Sequence, residues 1–180
     1  MAVCILGNNL TKDSSCGYSL PQVVEIYLAN FSQVTGTTLS ADKQVVESIT
    51  MSASSKWYKI EPSQNSATWS DTLGVGANGN KYRIHTIGFS FSGKYDEEVT
   101  DALDALSLGK YVAVARMADG TYLMLGRLAG LEADADGANN TGSGDATAEA
   151  GITVNLTGNT TEAALVLSDA AIKTVTGVTD

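Results

Sequence analysis

Residues that carry chemistry are scarce in this sequence. Its 180 residues include one histidine and two cysteines. Cys4 and Cys16 lack the CxxC spacing of zinc sites, and the lone histidine, His85, cannot complete one with them. A reducing cytosol disfavours a disulfide between the two thiols, so both are expected to be inert, buried or incidental. Positive charge is scarce as well. Eleven Lys and Arg stand against 20 Asp and Glu, a net charge of −9 with a pI near 4.4, and no two basic residues are adjacent. A groove that grips phosphate needs clustered cations, so tight nucleic-acid binding is not expected. An acidic surface suits the opposite task, a channel through which DNA passes without being held. No apolar run approaches the ~20 residues of a membrane span. The start, MAVCILGNN, lacks the basic region and the long apolar stretch of a signal peptide. The expectation is a protein made in the cytoplasm, with no membrane partner.

What is present is a β pattern. Hydrophobic residues make up 43% of the chain, enough for one domain with a real core. Thr, Ser, Gly and Val are abundant, and the helix–strand alternation of doubly wound folds is missing. Strands are expected over 23–28 (VVEIYL), with Pro21 setting the approach, and over 45–51 and 56–61, after a turn-like VTGTT. The SASS segment between the last two reads as a hairpin turn, and 64–70 as an edge strand. A long strand follows over 82–91, in which Ile87, Phe89 and Phe91 share one face. Further on, Asp119-Gly120 joins strands over 111–117 (YVAVARM) and 121–126 (TYLMLG) as a tight hairpin. Residues 127–133 extend the second of these or begin a third, and 151–156 and 163–167 close the domain.

One helix is expected, over 96–108. Asp96, Glu97 and Glu98 crowd its first turn, where the helix dipole favours negative charge. Val99, Leu103 and Leu106 form one apolar stripe, and Gly109 is placed to stop the helix, with Lys110 just beyond. Two stretches of small and polar residues read as long exposed loops, 71–80 and 134–149, mobile unless a neighbour orders them. The expected organisation is an N-terminal arm over 1–20, one β-rich domain over 21–168 and a polar, peripheral tail over 169–180. The fold class is mainly β (α+β), a β-sandwich or split barrel with one flanking amphipathic helix.

Tests for chemistry come out bland. His85 is expected on a strand, facing solvent or a neighbouring subunit rather than acting as a base. Gly74-x-Gly76 lacks the third glycine and the helix of a phosphate loop. Asp134-Ala-Asp136-Gly137 suggests calcium, but Asn139 stands where an EF-hand needs glycine and Asp145 where it needs a bidentate Glu. Trp57 and Tyr58 are adjacent and so point to opposite faces of a strand, which rules out one sugar-stacking platform; with Trp69 they are expected to anchor core or interface. No catalytic residue, metal ligand or cofactor is expected.

Four segments carry a resemblance: VEIYLAN (24–30), YRIHTIGFSFSG (82–93), DGTYLMLGRLAGLEA (119–133) and GITVNLTG (151–158). They are similar to structural proteins of tailed phages of Bacteroides-like hosts, crAss-like phages included. The order of elements resembles the tail-tube fold, a β-sandwich flanked by a helix that oligomerises into rings. The likeness spans about residues 20–167. It implies a virion protein of the tail or neck, a homo-oligomer in a hexameric or related ring. Its partners would be other tail, neck or portal proteins, with DNA passing unbound through the lumen. On charge and composition, the candidate inter-subunit or lumen residues are Asn78, Asn80, Glu132, Asp134, Asp136, Asp145 and Glu149, and the hairpin turn is Asp119 and Gly120. The LGNNLTKDSSCGYS segment is a candidate arm reaching a neighbour. The competing expectation is a capsid decoration, head-fibre or other virion surface interaction protein.

Overall fold

The computed structural model describes residues 22–91, 97–141 and 151–177. Eleven strands join one sheet. They are β1 (Val23–Asn30), β2 (Val34–Leu39), β3 (Val45–Met51), β4 (Tyr58–Ile60), β5 (Thr68–Val75), β6 (Lys81–Phe91), β7 (Lys110–Met117), β8 (Tyr122–Leu125), β9 (Leu131–Thr141), β10 (Gly151–Thr160) and β11 (Leu165–Leu167). Two helices complete the described fold, α1 (Glu97–Leu108) and α2 (Asp169–Thr176). The sheet runs β2-β3-β11-β8-β7-β9-β10-β6-β5, and β1 lies on the other edge of β7 with β4 outside it. The chain is mainly β.

The centre of this arrangement is β7. Ala113 to Arg116 pair with β8 and Lys110–Tyr111 pair with β9, while β1 runs antiparallel along the opposite edge from Val23↔Met117 to Asn30↔Tyr111. Because both its edges are paired and both its faces covered, its residues are buried almost without interruption. Alternation then sorts them into two cores. Tyr111, Ala113, Ala115 and Met117 join one cluster with Ile26, Leu28, Ile87, Phe89, Val154 and Leu156. Val112 and Val114 join the other, with Tyr27, Val46, Ile49, Met124 and Leu167.

The first core requires the sheet to curl over. His85 of β6 meets the Gly126 amide, just past β8, at 3.2 Å, although β7, β9 and β10 lie between those strands in the sheet order. The long strand expected over 82–91 is β6, and Ile87 and Phe89 do point into that core with Phe91 packed beside them. The acidic-fronted helix is also present, and Val99, Leu103 and Leu106 pack against the same core. Gly109 follows it, but for space and not for a left-handed turn. Its amide donates to Ala105 O at 2.8 Å, and a Cβ there would sit 2.7 Å from that oxygen and collide with Tyr111 Oη.

The Asp119-Gly120 hairpin forms as a three-residue loop. The Gly120 amide reaches back to Met117 O at 3.0 Å, and Gly120 takes the left-handed conformation, φ 88°. The Asp119 carboxylate accepts the Thr121 amide at 2.8 Å, which holds its pKa below the ordinary value.

Four local expectations are corrected. The VTGTT segment is strand β2, paired antiparallel with β3, so the strand following it has a partner the SASS turn does not supply. β3 and β4 form no hairpin; β4 crosses to pair with β1. The edge strand expected over 64–70 starts later and continues to Val75, consuming half of the expected 71–80 loop. The supposed peripheral tail contains α2, whose Ala171 and Val175 are buried over the second core. Ser168 starts it: its hydroxyl accepts the Ala171 amide at 3.3 Å, and Gly177 ends it at φ 70°. Small residues hid this helix, since an Ala-Ala-Ile-Lys-Thr-Val-Thr string carries little apolar contrast. Residues 1–20, with both cysteines, lie outside the described residues, as do Asp145 and Glu149.

Candidate assembly surface

Three strands have one unpaired edge among the described residues: β2, β4 and β5. β5 pairs with β6 as a hairpin. Its register runs from Thr68↔Gly88 to Val75↔Lys81, whereas β10 stops pairing with β6 at Arg83. The last rungs therefore project past the neighbouring strand. Trp69 and Ile87, at the base of the hairpin, share one face and pack on the first core. On that same face, farther out, lie Leu73 and Val75, 56% and 59% exposed. Their core-type side chains find no core within the described chain.

The projecting ribbon is well ordered by its own chemistry. Tyr82 faces Gly74 across the strands, and a Cβ at Gly74 would sit 2.5 Å from the ring's Cζ. Gly76 donates to Asn80 O at 2.8 Å and Gly79, at φ 76°, to Gly76 O at 2.8 Å. Asn78 and Asn80, two of the candidate residues, sit exposed at this tip.

Beneath the hairpin lies a buried polar knot. Asp71 is opposite His85 in the register. Its carboxylate accepts Arg83 Nε at 2.7 Å and the Ala164 amide at 2.9 Å. Partial burial pushes the Asp71 pKa up, but the Arg83 and Ala164 hydrogen bonds outweigh it and hold the net value below the ordinary one. Close by, Arg127 makes a two-pronged contact with Glu162 at 2.8 and 2.5 Å and reaches Thr37 of β2 at 2.9 Å. His85 is 1% exposed, which corrects the expectation that it faces solvent or a neighbour. Burial pushes its pKa down, and its Nδ1 accepts the Gly126 amide, so the ring is neutral with the proton on Nε2, 3.6 Å from Asp71 Oδ1.

The strongest carboxylate node elsewhere is Glu25 on β1, which takes Lys59 and Arg116 at 2.9 Å each and the Tyr27 hydroxyl at 2.9 Å. Burial alone would raise its pKa; the three donors bring it down to about 2. It borders an open groove of about 750 Å³ with Tyr27, Trp57 and Tyr122. A carboxyl fixed in its ionised form exchanges no proton near neutrality. The three sequence-predicted aromatics part company: Trp57 packs on the second core, Trp69 on the first, and Tyr58 is exposed.

Residues 134–141 of the second expected loop are strand, and the rest of it lies outside the described residues. Glu132, Asp134 and Asp136 belong to β9. Glu132 is exposed and paired with Lys110 at 2.8 Å, and Asp134, also exposed, accepts Asn155 Nδ2 at 3.2 Å. Val154 pairs with Ala138 and Leu156 with Ala133, so residues 134–137 stand opposite Asn155 alone, a wide bulge. Gly137 fills it because a Cβ would lie 2.5 Å from Asn155 O. The structure thus separates the candidates: Asn78 and Asn80 at a hairpin tip, Glu132 and Asp134 on a different strand. No group of three or more His, Cys, Asp or Glu is arranged to hold a metal among the described residues, and no helix there is long and apolar enough to cross a membrane.

A second exposed apolar feature escaped the sequence reading. Between α1 and the β1–β4 pair runs a groove of about 590 Å³, with Leu28, Phe91 and Tyr111 as its floor and Tyr58, Ile60 and Leu106 along its sides. Glu61 and Asp101 edge it. Long-range pairing of β4 with β1 builds this groove, and nothing in the local pattern of either strand announces that pairing.

No protein-family model matches the chain, and neither a curated protein nor a solved structure matches it.

Proposed function

We propose that the chain is a non-enzymatic structural subunit that assembles into rings of a tailed-phage tail tube or neck. The observation that carries this reading is the set of strand edges on β2, β4 and β5 that are unpaired among the described residues, with apolar residues exposed on the projecting β5–β6 hairpin. An unprotected edge invites pairing with another chain, and a monomer blunts such edges while an assembling subunit uses them. The curled sheet with α1 beside it is read here as a split barrel of the tail-tube type. The acidic balance of −9 suits a conduit, because like charge keeps DNA from sticking as it slides. Glu132 and Asp134, on the exposed side of β9, are the described candidates for such a wall. The electrostatics support a role without catalysis: the one histidine is buried and neutral, and Glu25 is locked ionised. The location that follows is the virion, with other tail, neck or portal proteins as axial partners.

Negative-stain microscopy and analytical ultracentrifugation of the purified full chain test this reading. Rings or tubes of constant diameter are expected as concentration rises. A species that remains monomeric at the highest attainable concentration would refute the ring reading, and a compact trimer would favour a decoration or fibre.

A further inference from the structure

We infer that the β5–β6 hairpin of one copy docks into the groove between α1 and β4 of the next, a head-to-tail contact that rests on the ring reading above. The two surfaces are complementary in three respects. The first is apolar character. Leu73 and Val75 project from the hairpin on its core-type face, and the groove offers Tyr58, Ile60, Phe91 and Leu106. Burying such side chains removes apolar surface from water on both partners at once.

Charge is the second. From Thr72 to Arg83 the hairpin holds Lys81 and Arg83 and no acid. α1 holds Glu97, Glu98, Asp101 and Asp104 and no base; Lys59 and Glu61 also line the groove but are paired with each other at 2.8 Å, so the acid presented to a partner is that of α1, with Asp101 at the rim. Arg83 is engaged by Asp71, so Lys81 at the exposed end is the cation presented to a partner. Complementary potentials of this kind fix register and orientation.

Edge availability is the third. β4 has one edge on β1 and the other unpaired among the described residues, and β5 likewise pairs with β6 alone. A hairpin entering alongside β4 can add its strand to that edge, so that backbone hydrogen bonds reinforce the side-chain contact. Hairpin and groove are different patches, so the contact is heterologous. Every copy then offers one hairpin and one groove, and the repeat closes into a ring when the rotation permits.

The mating is tested with two surface variants in the full chain. Leu73→Asp spoils the hairpin and leaves the groove intact; Ala102→Trp fills the groove and leaves the hairpin intact. Both positions are exposed, and circular dichroism with thermal melts establishes that each variant is folded. Each alone is expected to lose rings, with self-association weakened at least tenfold by sedimentation. An equimolar mixture is expected to give a one-to-one dimer, because one good hairpin and one good groove remain. Charge reversal provides a second readout: Lys81→Glu and Asp101→Lys should each weaken association, and together should restore it. If wild-type rings persist in both single variants, this contact is wrong while the ring reading stands. If the wild type never associates, both fall. If Ala102→Trp lowers the melting temperature but leaves association unchanged, the groove is occupied within its own chain and the inference is overturned.

Discussion

β7 and β5 are strands of equal length that the fold treats in opposite ways. β7 has a partner on each edge and a core on each face, and Val112 to Ala115 are wholly buried. Among the described residues β5 has one partner, anchors to the core through Trp69 at its base, and leaves Leu73 and Val75 in solvent. Both strands carry apolar side chains, on both faces of β7 and on the Trp69 face of β5. What differs is whether the described chain supplies something to cover them. Side chains that serve folding and side chains left for a partner are therefore distinguished by coverage, which no local pattern encodes.

The contrast is sharpest in stability. Phe89 is the largest wholly buried side chain of the core facing β7. Phe89→Ala should cost about 3–5 kcal/mol, from lost transfer energy and the cavity left behind. Equilibrium unfolding in guanidinium, at a concentration where the chain is monomeric, measures this. A loss below about 1 kcal/mol would mean that the curled sheet is loosely packed where it is described as closed.

A middle-sized effect is expected where the two regions meet, at the knot under the hairpin. Asp71→Asn keeps the volume but weakens the contact to Arg83, and should cost about 1–3 kcal/mol. The knot also predicts how stability varies with pH. His85 titrates in the folded chain below its ordinary 6.5, so as pH falls under 6.5 the unfolded chain takes up a proton that the buried ring refuses. Stability contributed by the neutral ring is present above that pH and declines below it. The carboxylates act lower: Asp71 loses its contribution as pH falls below 3.8, and Glu25 between 4.5 and about 2. His85→Asn should abolish the first decline and keep the second. A parent protein whose stability is flat from pH 7 to 5 would show that the imidazole is solvated after all.

α2 ranks next. Ser168→Ala removes the hydroxyl that accepts the Ala171 amide and donates to Glu47 O of β3 at 3.0 Å, and should cost about 1 kcal/mol, read as a lowered unfolding midpoint. This helix covers the face of β7 opposite the curled sheet, so the effect reports on the second core alone.

How much of this was legible before folding follows from the range of each signal. The Asp119-Gly120 hairpin, the strand through Ile87 and Phe89, and the Val99–Leu103–Leu106 stripe are local patterns, and all three form. Long-range pairing was not legible. SASS looked like a hairpin turn, but the strand after it crosses to β1 and builds the groove. Composition also misled in the Gly- and Asn-rich stretches. Gly74 sits in a strand to admit Tyr82, and Gly137 to admit a bulge, so glycine there marks close approach and not a loop. His85 looked like a surface residue because its partners, Asp71 and Gly126, come from separate elements. Of the candidate residues, Asn78 and Asn80 were placed by turn chemistry, whereas Leu73 and Val75 were absorbed into the loop expected over 71–80, because the glycines around them hid the strand.

The smallest expected effect is the most discriminating. Leu73→Ala removes a large apolar side chain, as Phe89→Ala does, yet the monomer should change by less than about 0.5 kcal/mol, the range of surface substitutions. Leu73 is more than half exposed, and its rung lies beyond the core. Truncation there opens no cavity. It can also lower stability slightly through β-propensity, because alanine is a poorer strand residue than leucine on a pleated surface, and that contribution should be the same whether or not the protein associates. The measurement is therefore paired: unfolding of dilute protein, then unfolding at a concentration where rings form. An interface makes stability rise with concentration, by mass action, and Leu73→Ala should flatten that rise while shifting the dilute value by less than about 0.5 kcal/mol. A loss of 2 kcal/mol or more in the dilute monomer would place Leu73 inside the chain's own packing and erase the distinction between the two strands.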